Sequence, residues 1–261
     1  MPSSARRELC ITLLGFIALW ALLDRTAAAL GSLRGEAGLL VGAVVVGTAV
    51  VVECVIAKRG PKRALEALGL AVPDVRALLA SLALVAALLC FYPLFAFATD
   101  STVTLRPGAL VLMLGMFAQG GIAEEVVFRG FLFRRLRVGR SFRRAAMLAS
   151  IPFVAVHVPL FLTLDAAVAL ASLLVALSIS FPLAWLFERS GGSIWPPAIV
   201  HAAVQGSIKL VDAGDAFTSM AIAWMVIGAL APWLLFLLKQ QQPASVGGRR
   251  LSTDRRRPAA R

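Results

Sequence analysis

Charge is scarce in this 261-residue chain: 15% of residues carry it, and acids are the rarer kind, 14 against 26 Lys and Arg. Soluble domains hold about a quarter charged and about half apolar residues, so 59% hydrophobic content and a mean hydropathy of +0.85 exclude that class. The net charge of +12 does not point to nucleic acid, because the basic residues sit in short clusters between apolar runs, without a binding motif or interleaved aromatics. Cysteine is sparse as well. Cys10, Cys54 and Cys90 are odd in number and lack C-x-x-C spacing, which excludes a disulfide framework, a zinc ribbon or a redox pair. Internal repeats are absent, so a transporter built from two similar halves gains no support. Histidine is scarcest of the chemically versatile residues, at two.

What remains is apolar sequence in helix-length pieces. Stretches of about 20 residues, enough to cross roughly 30 Å of hydrocarbon, fall at 9–30, 37–57, 76–98, 109–133, 144–163, 166–187, 194–211 and 217–238. They predict an all-α polytopic membrane protein with about eight transmembrane helices. Residues 1–238 form one transmembrane domain, and 239–261 form a disordered basic tail drawn to anionic headgroups. Arg6, Arg7, the run Leu9 to Leu23 and Thr26 to Ala29 imitate a signal peptide and its cleavage site. A retained first helix is preferred, because every later topological assignment works with it in place. Pro61 to Pro73 is too short to cross and reads as an interfacial amphipathic turn.

The positive-inside rule fixes an expected orientation. With the N-terminus inside, the basic clusters at 58–63, 134–144 and 249–257 are all cytoplasmic, and Arg25, Arg34, Arg106 and Lys209 are left outside. Both termini are then cytoplasmic. The Ala, Leu and Arg bias resembles a GC-rich bacterial genome, which points to the bacterial cytoplasmic (inner) membrane.

Both histidines, His157 and His201, fall inside apolar stretches, as does the pair Glu124 and Glu125. Ionisable groups in a bilayer cost a few kcal/mol or more, roughly, unless paired or lining a polar cavity, so these positions are functional candidates. Adjacent helical positions differ by about 100°, so the two carboxylates face different neighbours. Arg129, four residues after Glu125, has the spacing of an intrahelical ion pair and leaves Glu124 free to act. Phe153 and His157 share one face of the fifth span; His201 and Gln205 share one face of the seventh. Counted from the nearest Arg clusters, Glu124, His157 and His201 reach similar depths between mid-bilayer and the cytoplasmic side. A carboxylate and an imidazole can take a proton from water as general base, and a second imidazole with an amide can stabilise an oxyanion. The set suits hydrolysis of a peptide bond.

Glu-Glu-x-x-x-Arg at Glu124, Glu125 and Arg129, Phe-x-x-x-His at Phe153 and His157, and a third motif at His201 resemble the CPBP intramembrane proteases. That group contains the CAAX prenyl endopeptidases and bacteriocin-processing (Abi) enzymes. Motif order, spacing and an eight-helix plan all agree, with a catalytic core at about 109–211. The resemblance implies a glutamate-type endopeptidase in which Glu124 is the catalytic carboxylate and His157 its partner in activating water. It also implies that His201 stabilises the oxyanion, with Gln205 standing where relatives usually have Asn. Glu125, Arg129 and Phe153 are supporting residues. The implied partners are the bilayer and a membrane-associated peptide or protein substrate, with no cofactor. Zn²⁺ on His157, His201 and Glu124 is a second enzymatic reading that no H-E-x-x-H signature supports. A catalytically silent scaffold or immunity factor and a proton-coupled transporter are the readings outside hydrolysis.

Overall fold

The computed structural model describes residues 3–31 and 34–237; the expected tail at 239–261 lies outside them. The helices are α1 (Ser3–Ala29), α2 (Arg34–Val55), α3 (Pro61–Ala67), α4 (Val75–Leu89), α5 (Phe91–Thr99), α6 (Ala109–Met116), α7 (Arg134–Arg137), α8 (Phe142–Ala155), α9 (Ala166–Arg189), α10 (Trp195–Gly206) and α11 (Phe217–Leu230). Two π-helical segments, Phe117–Ala123 and Val126–Phe133, join α6 to α7 in one continuous rod. The result is an all-α polytopic membrane fold. Among the described residues seven rods, Val75–Thr99, Ala109–Arg137 and Phe142–Leu162 among them, are long and apolar enough to cross a bilayer.

The segment expected as a further span at 194–211 is helical but shorter than the others. Its 12 residues in α10 rise about 18 Å. The 3₁₀ turn Ser207–Leu210 adds about 8 Å more, at a rise of roughly 2 Å per residue. Pro196 and Pro197 open this helix in its first turn, where a missing N–H costs nothing.

Apolar side chains such as Leu14, Ile151 and Leu174 face outward, as lipid contact allows, and the interior is built from small residues and aromatic edges. Phe16 of α1 meets Phe128 edge-on with ring centroids 5.3 Å apart, and Phe128 meets Phe153 at 4.9 Å. The first helix is thus part of the core. Between α2 and α6 the backbones nearly touch: a β-carbon on Gly115 would stand 2.0 Å from the Gly35 carbonyl oxygen. Polar side chains tie helices across the interior: Ser150 pairs with Ser180 at 2.8 Å, and the buried Trp224 donates to the Val204 carbonyl at 2.9 Å.

The two ends of the bundle are closed differently. At one, Glu53 is buried between Arg59 and Arg135, Arg137 pairs with Glu188, and Arg134 donates to the carbonyls of Glu66 and Gly192. In the 61–73 segment, expected as an interfacial amphipathic turn, one side rests on protein while Lys62, Arg63, Leu65 and Glu66 are exposed. Leu68 and Gly69 are buried, and the Gly69 carbonyl accepts from Ile194 N at 2.8 Å. At the other end a two-residue ribbon pairs β1 (Thr104–Leu105) antiparallel with β2 (Val211–Asp212). Arg106 fastens this ribbon, its Nε donating to the Val211 carbonyl at 2.8 Å while its guanidinium rests over Phe217.

Candidate functional site

Glu124 and Glu125 lie between the two π-helical segments of the α6–α7 rod. The wider turn is visible in the backbone bonds, since Glu124 N reaches back to the Gln119 carbonyl and Arg134 N to that of Arg129. Such widenings of a helix are frequent at functional sites.

Glu125 points into the protein. Its side chain is wholly buried, and Oε1 accepts from both Arg129 Nη1 and His201 Nδ1 at 2.8 Å. The ion pair expected from the four-residue spacing is present, and the link to His201 on α10 was not expected. Nothing in a linear sequence signals a bond between residues 76 positions apart. The Arg129 guanidinium lies 4.3 Å from the Phe153 ring centroid, a cation–π contact that is strong where water is excluded. Phe153 also touches both imidazoles, with centroids 5.4 Å from His157 and 5.7 Å from His201. A buried charge must be paired, and this cluster pairs its charges across three elements.

Glu124 points the other way. It is partly accessible, with Oε2 3.8 Å from His201 Nε2, too far for a hydrogen bond. His157 sits where α8 gives way to a 3₁₀ turn, and its Nδ1 donates to the Phe153 carbonyl at 2.8 Å. A carbonyl only accepts, so Nδ1 carries a proton, and in the neutral ring the lone pair is on Nε2. His157 makes no ion pair with Glu124. The two instead line one cavity of about 480 Å³, together with His201 and Gln205. A second cavity of about 620 Å³ meets the first along Gln119, Glu124, Gln205 and Lys209.

Gln205 depends on a gap in the opposite rod. A β-carbon at Gly120 would stand 2.5 Å from Gln205 Oε1, so the glycine makes room for an amide one methylene longer than Asn. Gln119 and Lys209 were not singled out from sequence. Gln119, an amide in an apolar span, carried a readable signal; Lys209, at a span boundary, looked like an ordinary interfacial lysine.

Both cavities extend toward the ribbon-closed end. Their walls include Ala27 at the end of α1 and Ile208 and Lys209 beside the ribbon, and the larger one adds Arg106 and Phe217. The Arg-closed end contributes nothing to them. Among the described residues no three His, Cys, Asp or Glu side chains are grouped as metal ligands.

Residues 106–207, which contain every candidate side chain named from the sequence, match the family model described as Type II CAAX prenyl endopeptidase Rce1-like. Neither a curated protein nor a solved structure matches the chain.

Proposed function

We propose that the chain, whose residues 106–207 match the Rce1-like type II CAAX prenyl endopeptidase family, is a multi-pass intramembrane peptide hydrolase that works by glutamate catalysis on a membrane-associated peptide. Glu124 and the free Nε2 of His157 take a proton from water held between them. The hydroxide so formed attacks the scissile carbonyl carbon, moving the C=O electron pair onto oxygen. His201 and the Gln205 amide donate to that oxyanion. With its Nδ1–H committed to Glu125, His201 donates through Nε2 as the doubly protonated ring, and the carboxylates on either side supply the balancing charge. Collapse breaks the C–N bond, and the proton held by the Glu124–His157 pair passes to the leaving amine. A carboxylic acid and an amine result.

The observation that supports this reading best is the unequal treatment of the adjacent carboxylates. Glu125 is sealed in a structural network with Arg129 and His201, whereas Glu124 faces a cavity that holds both imidazoles and an amide. The structural role leaves Glu124 available for chemistry without loss of the fold.

The test is cleavage of membrane peptides by cells or vesicles carrying the wild-type, Glu124→Gln or His157→Ala chain, followed by mass spectrometry. Either change lowers cleavage by about 10²–10⁴-fold, the span of general-base catalysis, and leaves the detergent-solubilised elution profile unaltered. Cleavage that persists in both variants removes the mechanism. Wild-type cleavage is expected to survive strong chelators; its loss, restored by Zn²⁺, favours the metal reading instead.

A further inference from the structure

The corner of the bundle where α2 turns into α3 carries more positive charge than it neutralises. Glu53 is buried near the end of α2 and bonds Arg59 through one carboxylate oxygen and Arg135 through the other, so a single negative charge serves two guanidiniums. Arg134 lies within electrostatic reach of both arginines, and it spends its donors on the Glu66 and Gly192 carbonyls, which bring no net charge. Beside these three, Lys58, Lys62 and Arg63 are exposed and, among the described residues, make no ion pair and no side-chain hydrogen bond. Residues 53–66 with 134 and 135 thus hold six cations against two acids, Glu53 and Glu66.

Lys58 takes its place against backbone preference. Its φ is 52°, in the left-handed region where Gly is the usual residue at a helix end, because a β-carbon there crowds the following carbonyl oxygen. The turn brings the Arg59 N–H back to the Glu53 carbonyl at 3.3 Å. A glycine would make that turn with less strain, so what the lysine adds is its ammonium.

The approach to this corner is apolar. Val51 and Val55, four apart and therefore on one face of α2, are exposed over more than half their surface, as is Ile56 beside them. They form a ledge along which an acyl chain can lie, with the cations at its end. A soluble anion gains nothing from such a ledge, whereas an amphiphile meets guanidinium donors with its phosphate and the valines with its chain. By the positive-inside rule this corner lies in the cytoplasmic leaflet.

We propose that Lys58, Arg59 and Lys62, backed by Arg134 and Arg135, form a binding site for the phosphate headgroup of an anionic phospholipid. The lipid supplies the negative charge that Glu53 alone does not, and it holds the α2–α3 turn at the membrane surface. None of these residues lines either cavity, so the site is separate from Glu124 and its neighbours.

The test is native mass spectrometry of the full chain released from detergent micelles, titrated with phosphatidylglycerol or with phosphatidylcholine of the same acyl chains. Phosphatidylglycerol is expected to bind at least tenfold tighter. Lys58→Gly combined with Lys62→Gln is expected to remove most of that preference, at about fivefold for each cation near a membrane surface. Because Gly suits the left-handed turn, Lys58→Gly should melt at or above the wild-type temperature, which separates lost binding from lost fold. Arg143→Gln with Arg144→Gln removes the same charge from the exposed start of α8 and is expected to keep the preference. Equal binding of the two lipids overturns the proposal, and so does a preference that survives the Lys58 and Lys62 changes. An equal loss in the Arg143 and Arg144 variant overturns it as well, since it reports diffuse attraction to a basic surface. Displacement of phosphatidylglycerol by an equal concentration of inorganic phosphate assigns the site to a free anion instead.

Discussion

Gly120 and Gln205 are a matched pair, each acceptable because of the other. Adding a methyl at 120 brings a β-carbon to 2.5 Å from Gln205 Oε1, the far end of a flexible side chain, so the amide swings away while the helices stay put. Gly120→Ala should therefore leave thermal stability within about 0.5 kcal/mol, the usual range for changes outside strained or packed features. It should lower cleavage by roughly 10²-fold, the cost of losing an oxyanion donor. The shorter Gln205→Asn, combined with Gly120→Ala, is expected to recover part of that loss; melting curves and initial rates on the three variants check it. Glu125 behaves in the opposite way. Glu125→Gln leaves Arg129 buried and uncompensated, which costs about 3–5 kcal/mol and should appear as a large fall in melting temperature, unlike Glu124→Gln. Spacing alone announced the Glu125–Arg129 pair. The His201 bond to Glu125 was illegible, because the approach of α10 to the α6–α7 rod is set by tertiary packing.

Among the elements, the α6–α7 rod carries the most consequence, since its two π-helical segments flank the carboxylate pair and its glycines admit neighbours from two sides. Gly115 meets the backbone of α2 at Gly35, and a β-carbon at Gly130 would stand 2.1 Å from the Leu68 carbonyl oxygen. Neither approach leaves room for a side chain, and the obstacle in each case is rigid backbone. Gly115→Leu should push α2 outward and destabilise the chain by more than the 1–3 kcal/mol typical of overpacking, read as loss of a monodisperse peak in detergent. Helix existence was readable along most of the chain from apolar length alone. The π-helical widening was not, because a single extra residue per turn leaves the hydrophobic pattern nearly unchanged. The short α10 was overestimated for a related reason: its apolar pattern continues into a 3₁₀ turn and a ribbon strand that composition does not distinguish from helix.

The molecule as a whole is asymmetric end to end. Ion pairs of Arg135 and Arg137 and the hydrogen bonds of Arg134 to backbone carbonyls close one end, and the β1–β2 ribbon with Arg106 closes the other, toward which the cavities extend. By the positive-inside rule the Arg-closed end faces the cytoplasm, so access to Glu124 is expected from the opposite, non-cytoplasmic side. In a background with Cys10, Cys54 and Cys90 changed to Ser, a membrane-impermeant maleimide should label Ala27→Cys from outside intact cells. Val138→Cys at the Arg-closed end should label only after permeabilisation. The reverse pattern inverts the orientation.

Composition and apolar length were enough, by themselves, to determine that this chain lives in a bilayer as helices, and motif spacing marked the side chains proposed to carry its chemistry. Both are local properties: solvation free energy is summed along a segment, and neighbours on one helix face are fixed by the helical repeat. Only the tertiary structure decided that Glu125 is sealed against His201 while Glu124 faces a cavity, that Gly120 makes room for Gln205, and that Lys209 lines both cavities where they join. Those outcomes depend on which faces of separate rods meet and on how closely their backbones approach, and side-chain volumes distant in the chain set both.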